Sequence, residues 1–176
     1  MNVLPVRGND TNKPAPFPDI QVGIADYKIA VQPNRLITLG LGSCVGITFY
    51  DPFSKMGGLL HVMLPDSKQF NSVNKPAKFA DTGIPLVLSE MKRLGVRLGS
   101  LQVKIAGGAQ MFAGLSEKFT LNIGERNSQA TKVSLKSLGI NILAEDVGGN
   151  KGRTMILDTT SGQVMIRTLG SHIKVI

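Results

Sequence analysis

Residues 45–63 restrict the fold more than any other stretch of this chain. Val45, Ile47 and Phe49 alternate with Cys44, Gly46, Thr48 and Tyr50, the period of two that marks a strand. Asp51-Pro52-Phe53-Ser54 then supplies turn chemistry, and Gly58 to Met63 reads as a returning strand. Together they predict a hairpin.

The flanking pattern adds more strands and two helices. Tyr27 to Val31 and Arg35 to Leu41 read as short strands separated by the turn pair Pro33-Asn34. From Pro76 to Leu94 the apolar residues Phe79, Ile84, Val87, Leu88, Met91 and Leu94 can share one helical face. Pro85 should start, break or kink that helix, and Gly95 is a natural stop. Leu101 to Ala106 is a buried-strand candidate. Asn122 is placed to cap a second helix running to Leu138 and closed by Gly139, and Ile140 to Ala144 resumes extended structure. Thr154 to Asp158 and Gln163 to Thr168 flank Thr159-Thr160-Ser161-Gly162, a hairpin signal. Strands and helices do not alternate regularly, so the expected class is α+β. Residues 1–22, with Pro5, Pro14, Pro16 and Pro18 beside Gly8, Asn9 and Asn12, read as a flexible tail. Residues 23–176 read as a single domain.

Composition serves mainly to exclude. The 176 residues carry Lys+Arg 20 against Asp+Glu 12, a net charge of +8. The basic residues are spread along the chain, and the densest group, Lys92, Arg93 and Arg97, sits where cations complement a helix dipole. No aromatics interleave with them to stack bases, so nucleic acid is not the expected partner. No apolar run approaches the ~18 residues of a membrane span, and the N-terminus lacks the pattern of a secretory signal. A cytoplasmic protein without membrane insertion is expected. One cysteine and two histidines exclude an internal disulfide and argue against a zinc site; no cofactor or metal is expected.

That lone cysteine follows the run Thr38-Leu39-Gly40-Leu41-Gly42-Ser43, a strand entering a glycine-rich bend. Such a bend can leave N–H groups free to receive an oxyanion. With the hairpin turn centred between Pro52 and Phe53, Cys44 falls opposite His61. Cross-strand neighbours have Cβ atoms ~5 Å apart, which suits a thiol–imidazole pair, and a slip of one residue would put them on opposite faces. An imidazole beside a thiol can generate the thiolate nucleophile. The bland alternative is a small buried hydrophobe and a satisfied core histidine. His172 is the competing base, read as structural or exposed. Gly40-Leu41-Gly42-Ser43 and Gly148-Gly149-Asn150-Lys151-Gly152-Arg153 both lack the Lys-Ser/Thr of a nucleotide P-loop.

Thr38 to Cys44, followed by Gly58-Leu59-Leu60-His61-Val62-Met63-Leu64-Pro65, closely resembles the chemoreceptor glutamine deamidase family, CheD. Phe79-Ala80-Asp81-Thr82, Lys104-Ile105-Ala106-Gly107-Gly108-Ala109, Ile123-Gly124-Glu125-Arg126-Asn127 and Gly148 to Arg153 extend the resemblance, in order, from about Ile24 to Arg167. It implies a mixed β-sandwich with flanking helices, similar to cytotoxic necrotizing factor-type deamidases. It also implies hydrolysis of receptor glutamines to glutamates with release of ammonia. The implied nucleophile is Cys44, the base His61 and the third member of the triad Thr38. Ser43, Gly42, Gly107 and Gly108 are weaker candidates for oxyanion or substrate contacts, with the Cys44 amide the leading oxyanion donor. The implied partners are the chemoreceptor cytoplasmic helical bundle and a CheC-type phosphatase. A docking module acting on receptors or that phosphatase without turnover is the alternative, and transamidation through the same thioester is a third.

Overall fold

The computed structural model describes residues 19–68, 73–110, 122–168 and 170–176. Its centre is β4 (Val45–Asp51), buried along its whole length. Val45, Ile47 and Phe49 point to one face, while Gly46, Thr48 and Tyr50 occupy the other. Small and hydroxylated residues on the second face allow another sheet to approach it closely. A Cβ on Gly46 would stand 2.9 Å from both a Leu41 methyl and the Met155 sulfur.

β4 pairs antiparallel with β5 (Met56–Val62) and with β6 (Gln102–Gly107). β2 (Asp26–Val31) flanks β5, and β7 (Ile142–Val147) runs parallel to β6, giving the order β2-β5-β4-β6-β7. A second five-stranded sheet contains β1 (Ile20–Val22), β3 (Arg35–Leu41), β8 (Arg153–Asp158), β9 (Val164–Thr168) and β10 (Lys174–Val175), in that order. The sheets pack over Leu36, Leu41, Tyr50, Leu59, Met155 and Leu157. Two helices, α1 (Ala80–Arg93) and α2 (Ile123–Ser137), cover the outer face of the β4 sheet over Val45, Ile47, Phe49, Leu60 and Ile105. Among the described residues the architecture is α+β, with two sheets and both α-helices on one side.

Several expectations shift in detail. Residues 1–18 of the expected tail lie outside the described residues, but Ile20–Val22 of that tail form β1, hydrogen-bonded in parallel to Leu36–Thr38. The expected helix from Pro76 divides into a 3-10 turn at Pro76–Lys78 and α1, which continues through Pro85. Pro85 lies in the second turn, where its missing N–H leaves one helical bond unmade without ending the helix. The β4–β5 register also differs from the expected one. His61 pairs with Gly46, not Cys44, because two more residues enter the turn. A slip of two preserves the face, so Cys44 and His61 remain on the side facing the second sheet.

Candidate active site

Thr38 and His61 sit on different sheets and meet between them. Thr38 is fully buried on the inward face of β3, and His61 is fully buried on β5. The Thr38 hydroxyl donates to the Val22 carbonyl at 2.8 Å and lies 2.7 Å from His61 Nδ1. A hydroxyl has one proton and a carbonyl can only accept. The proton is therefore spent on Val22, and Thr38 Oγ1 must accept from Nδ1–H. This fixes the tautomer and leaves a lone pair on Nε2. Nε2 is buried and has no hydrogen-bond partner among the described residues. Burial holds the His61 pKa down to about 4, so the ring is neutral at neutral pH.

Cys44 precedes β4 and is half-buried against the apolar cluster between the sheets. Since Gly46 is the partner of His61, Cys44 is its diagonal neighbour on the same face. Diagonal residues have Cα atoms ~7–8 Å apart and Cβ atoms somewhat nearer, within reach of an imidazole. Burial pushes the Cys44 thiol up, while its own backbone N–H pulls the other way. At rest both partners are neutral: a thiol and an imidazole with an open base nitrogen.

The bend that carries Cys44 is held from three sides. Gly40, with φ +69°, lies in the irregular part of β3 between Thr38 and Leu41. Gly42 donates its N–H to the Gly40 carbonyl and accepts from the Ala109 N–H at 2.7 Å. The Gly108 N–H donates to the Cys44 carbonyl at 2.8 Å. Gly107 and Gly108 are thus drawn to this site, but the close approach they allow is to the protein's own atoms. A Cβ on Gly107 would fall 2.2 Å from the Cys44 oxygen, and one on Gly108 would fall 1.9 Å from Ser128 Oγ. Gly108 also lines a cavity of about 360 Å³ with Gln110, Asn122, Glu125, Lys132 and Gly149.

Asn127 of α2 supplies the third support, and its role is not legible from the cysteine–histidine spacing. Its Nδ2 donates to the Ser43 carbonyl and the Met63 carbonyl, each at 2.9 Å. The signal was an amide on the buried face of a helix, in step with Gly124, Ser128 and Thr131. Val22 was likewise missed because it fell in the expected tail. His172 is exposed between β9 and β10. Among the described residues no group of three or more His, Cys, Asp or Glu could hold a metal ion, and no helix is long and apolar enough to cross a membrane.

A thiol and a neutral imidazole of fixed tautomer, on one face of neighbouring chain segments between two sheets, suit cysteine-dependent acyl chemistry. The comparisons with known proteins narrow this class. The chain belongs to the CheD family: residues 63–168 match its model, described as CheD chemotactic sensory transduction. A probable chemoreceptor glutamine deamidase CheD of Desulforamulus reducens is 69% identical over 158 residues, covering 90% of this chain and 95% of that protein. Proteins of the same description from Clostridium kluyveri and Clostridium botulinum are 53% and 51% identical over 156 residues, each covering 89% of this chain and 96% of the relative.

Proposed function

We propose that this chain is a protein-glutamine glutaminase that converts glutamine side chains on the cytoplasmic helices of chemoreceptors to glutamates. The observation that carries the mechanism is the chain from Val22 through Thr38 to His61, which leaves Nε2 open on the face it shares with Cys44. The substrate class rests on the names of the relatives.

In this reading Nε2 takes the thiol proton as sulfur attacks the amide carbon. The carbonyl electrons move onto oxygen, beside the Cys44 N–H. As the tetrahedral intermediate collapses, the C–N bond breaks and the imidazolium returns the proton to the leaving nitrogen. Ammonia departs and a thioester remains. Nε2 then deprotonates water for attack on the thioester, and Cys44 leaves as the thiol. The balance is glutamine plus water to glutamate plus ammonia. Thr38 supports the imidazolium that forms twice per cycle.

Incubation with receptor cytoplasmic fragments and peptide mass spectrometry tests the proposal. Wild type should convert glutamine to glutamate and Cys44→Ala should not; conversion by Cys44→Ala would remove the nucleophile. The net charge of +8 suits electrostatic steering towards acidic receptor helices in the cytoplasm. Association should then slow as salt is raised, and a salt-independent rate would exclude steering. A CheC-type phosphatase is the second partner in this reading, open to a direct binding measurement.

A further inference from the structure

Asn127 holds the backbone beside both Cys44 and His61 through its side-chain amide. Ser43 immediately precedes the cysteine, and Met63 follows the histidine by two residues. Both protons of the Asn127 amide are spent on these two carbonyls, which fixes the orientation of the side chain. Asn127 is completely buried, and its Oδ1 has no partner among the described residues.

The grip on Ser43 has a geometric consequence. In a trans peptide the carbonyl and the following N–H point in opposite directions. With the Ser43 oxygen held towards α2, the Cys44 N–H must point away from the helix. It faces its own sulfur, and no other acceptor takes it among the described residues. α2 comes close enough to do this because Gly124 lies against the Gly108–Ala109 backbone, where a Cβ would fall 2.5 Å from the Ala109 oxygen.

We propose that Asn127 is a positioning residue for the oxyanion site: it locks the Ser43–Cys44 peptide so that the Cys44 N–H faces the oxygen of the carbonyl under attack. The same side chain ties that peptide to the strand carrying the base. The inference rests on Cys44 as the nucleophile, so Cys44→Ala is measured beside the Asn127 variants. Retained glutamine conversion by Cys44→Ala defeats the nucleophile assignment and this proposal with it. An inactive Cys44→Ala together with fully active Asn127 variants defeats only this proposal.

The experiment uses the full chain, a receptor cytoplasmic fragment and two variants, Asn127→Ala and the less disruptive Asn127→Ser. Three quantities are compared: kcat and KM for ammonia release, the rate of Cys44 alkylation by iodoacetamide, and inhibition by a receptor peptide in which an aldehyde replaces the side-chain amide of the target glutamine. Alkylation displaces iodide and develops no oxyanion, whereas the aldehyde forms a tetrahedral adduct that does. The expected result is a ~10²-fold loss in kcat, with KM and alkylation within about threefold of wild type and aldehyde affinity falling in step with kcat. Unchanged kcat overturns the proposal. A parallel fall in kcat and alkylation, or loss of the folded state in both variants, assigns Asn127 to the core and overturns it equally.

Discussion

Thr38 Oγ1 lies 2.7 Å from His61 Nδ1, and the two residues belong to different sheets. The contact is therefore made by sandwich packing and not by strand pairing. It is short, buried and continued to the Val22 carbonyl on a third strand. A buried hydrogen bond of this kind holds a ring in one orientation more firmly than an exposed one, because no water competes for either partner. The His61 ring is thus oriented by the packing of the core, and its properties follow from that packing.

Removing the acceptor oxygen should release the tautomer. Thr38→Val keeps the volume and leaves Nδ1–H without a partner, so the ring can place its proton on Nε2. We expect kcat to fall ~10- to 100-fold, less than the ~10²–10⁴ contributed by a general base itself. Thr38→Ser retains the oxygen and should remain within about fivefold of wild type. Steady-state ammonia release measures both. Equal activity of the Val and Ser variants would show that the hydroxyl does not orient the base.

Acid should destabilise the fold before the carboxylates titrate. His61 has a pKa of about 4 in the folded protein against 6.5 as an ordinary histidine. Between these values the unfolded chain binds more protons than the folded one, so stability falls as pH falls. The loss begins below about 6.5 and is complete below about 4, reaching ~3 kcal/mol in total and ~2 kcal/mol by pH 5. Urea denaturation at pH 7 and pH 5 should show this difference, and a folded His61→Gln variant should lack it. The acid limb of kcat/KM should likewise lie near pH 4. An acid limb near 6.5 would mean that burial does not suppress the charge on this ring.

How far the site was readable follows from where its contacts come from. Cys44 and His61 stand on neighbouring strands joined by one turn, so periodicity brought them to the same face even with the turn misplaced by two residues. β3, β4 and α2 were legible for the same reason: their apolar spacing is local. Thr38 was reached through family resemblance, since nothing in local pattern says that β3 joins the other sheet and faces His61. Val22 was lost because proline density upstream outweighs a three-residue strand whose partner lies 16 residues on. Asn127 lies 84 residues from Ser43, and a polar residue on a helix carries no mark of a backbone carbonyl that far away.

The resting thiol should be slow to alkylate. Burial raises the Cys44 pKa above that of an ordinary thiol, and His61 is neutral, so no thiolate–imidazolium pair exists before substrate arrives. Iodoacetamide labelling at pH 7 should be slower than that of a small free thiol and should keep rising through pH 9. Loss of the imidazole in His61→Ala should change the labelling rate at pH 7 by less than about threefold while abolishing turnover. A rate plateau between pH 5 and 8 would reveal a preformed ion pair and contradict this picture.

Gly107 tests whether the Cys44 bend is held by close backbone approach or merely by permissive turns. Its φ of +112° disfavours any side chain, and an added Cβ would meet the Cys44 carbonyl oxygen at 2.2 Å, a backbone atom that cannot swing aside. Gly139 has φ +71° but nothing within 4 Å of an added Cβ. Gly139→Ala should therefore cost only the conformational penalty of ~1 kcal/mol, or ~2–4 °C in Tm. Gly107→Ala adds the displacement of Cys44 to that penalty and should cost at least ~3 kcal/mol, or ~6–12 °C. Because the displaced atom belongs to the backbone of Cys44, the proposed nucleophile, Gly107→Ala should also lose ~10²-fold or more in turnover at temperatures where it remains folded. Gly139→Ala should retain full activity. Thermal scans and turnover measured well below each midpoint decide the matter: equal losses at the two glycines would place the requirement in turn geometry alone, and a large stability loss at Gly107 with intact turnover would separate the fit of β6 against the bend from the position of the thiol.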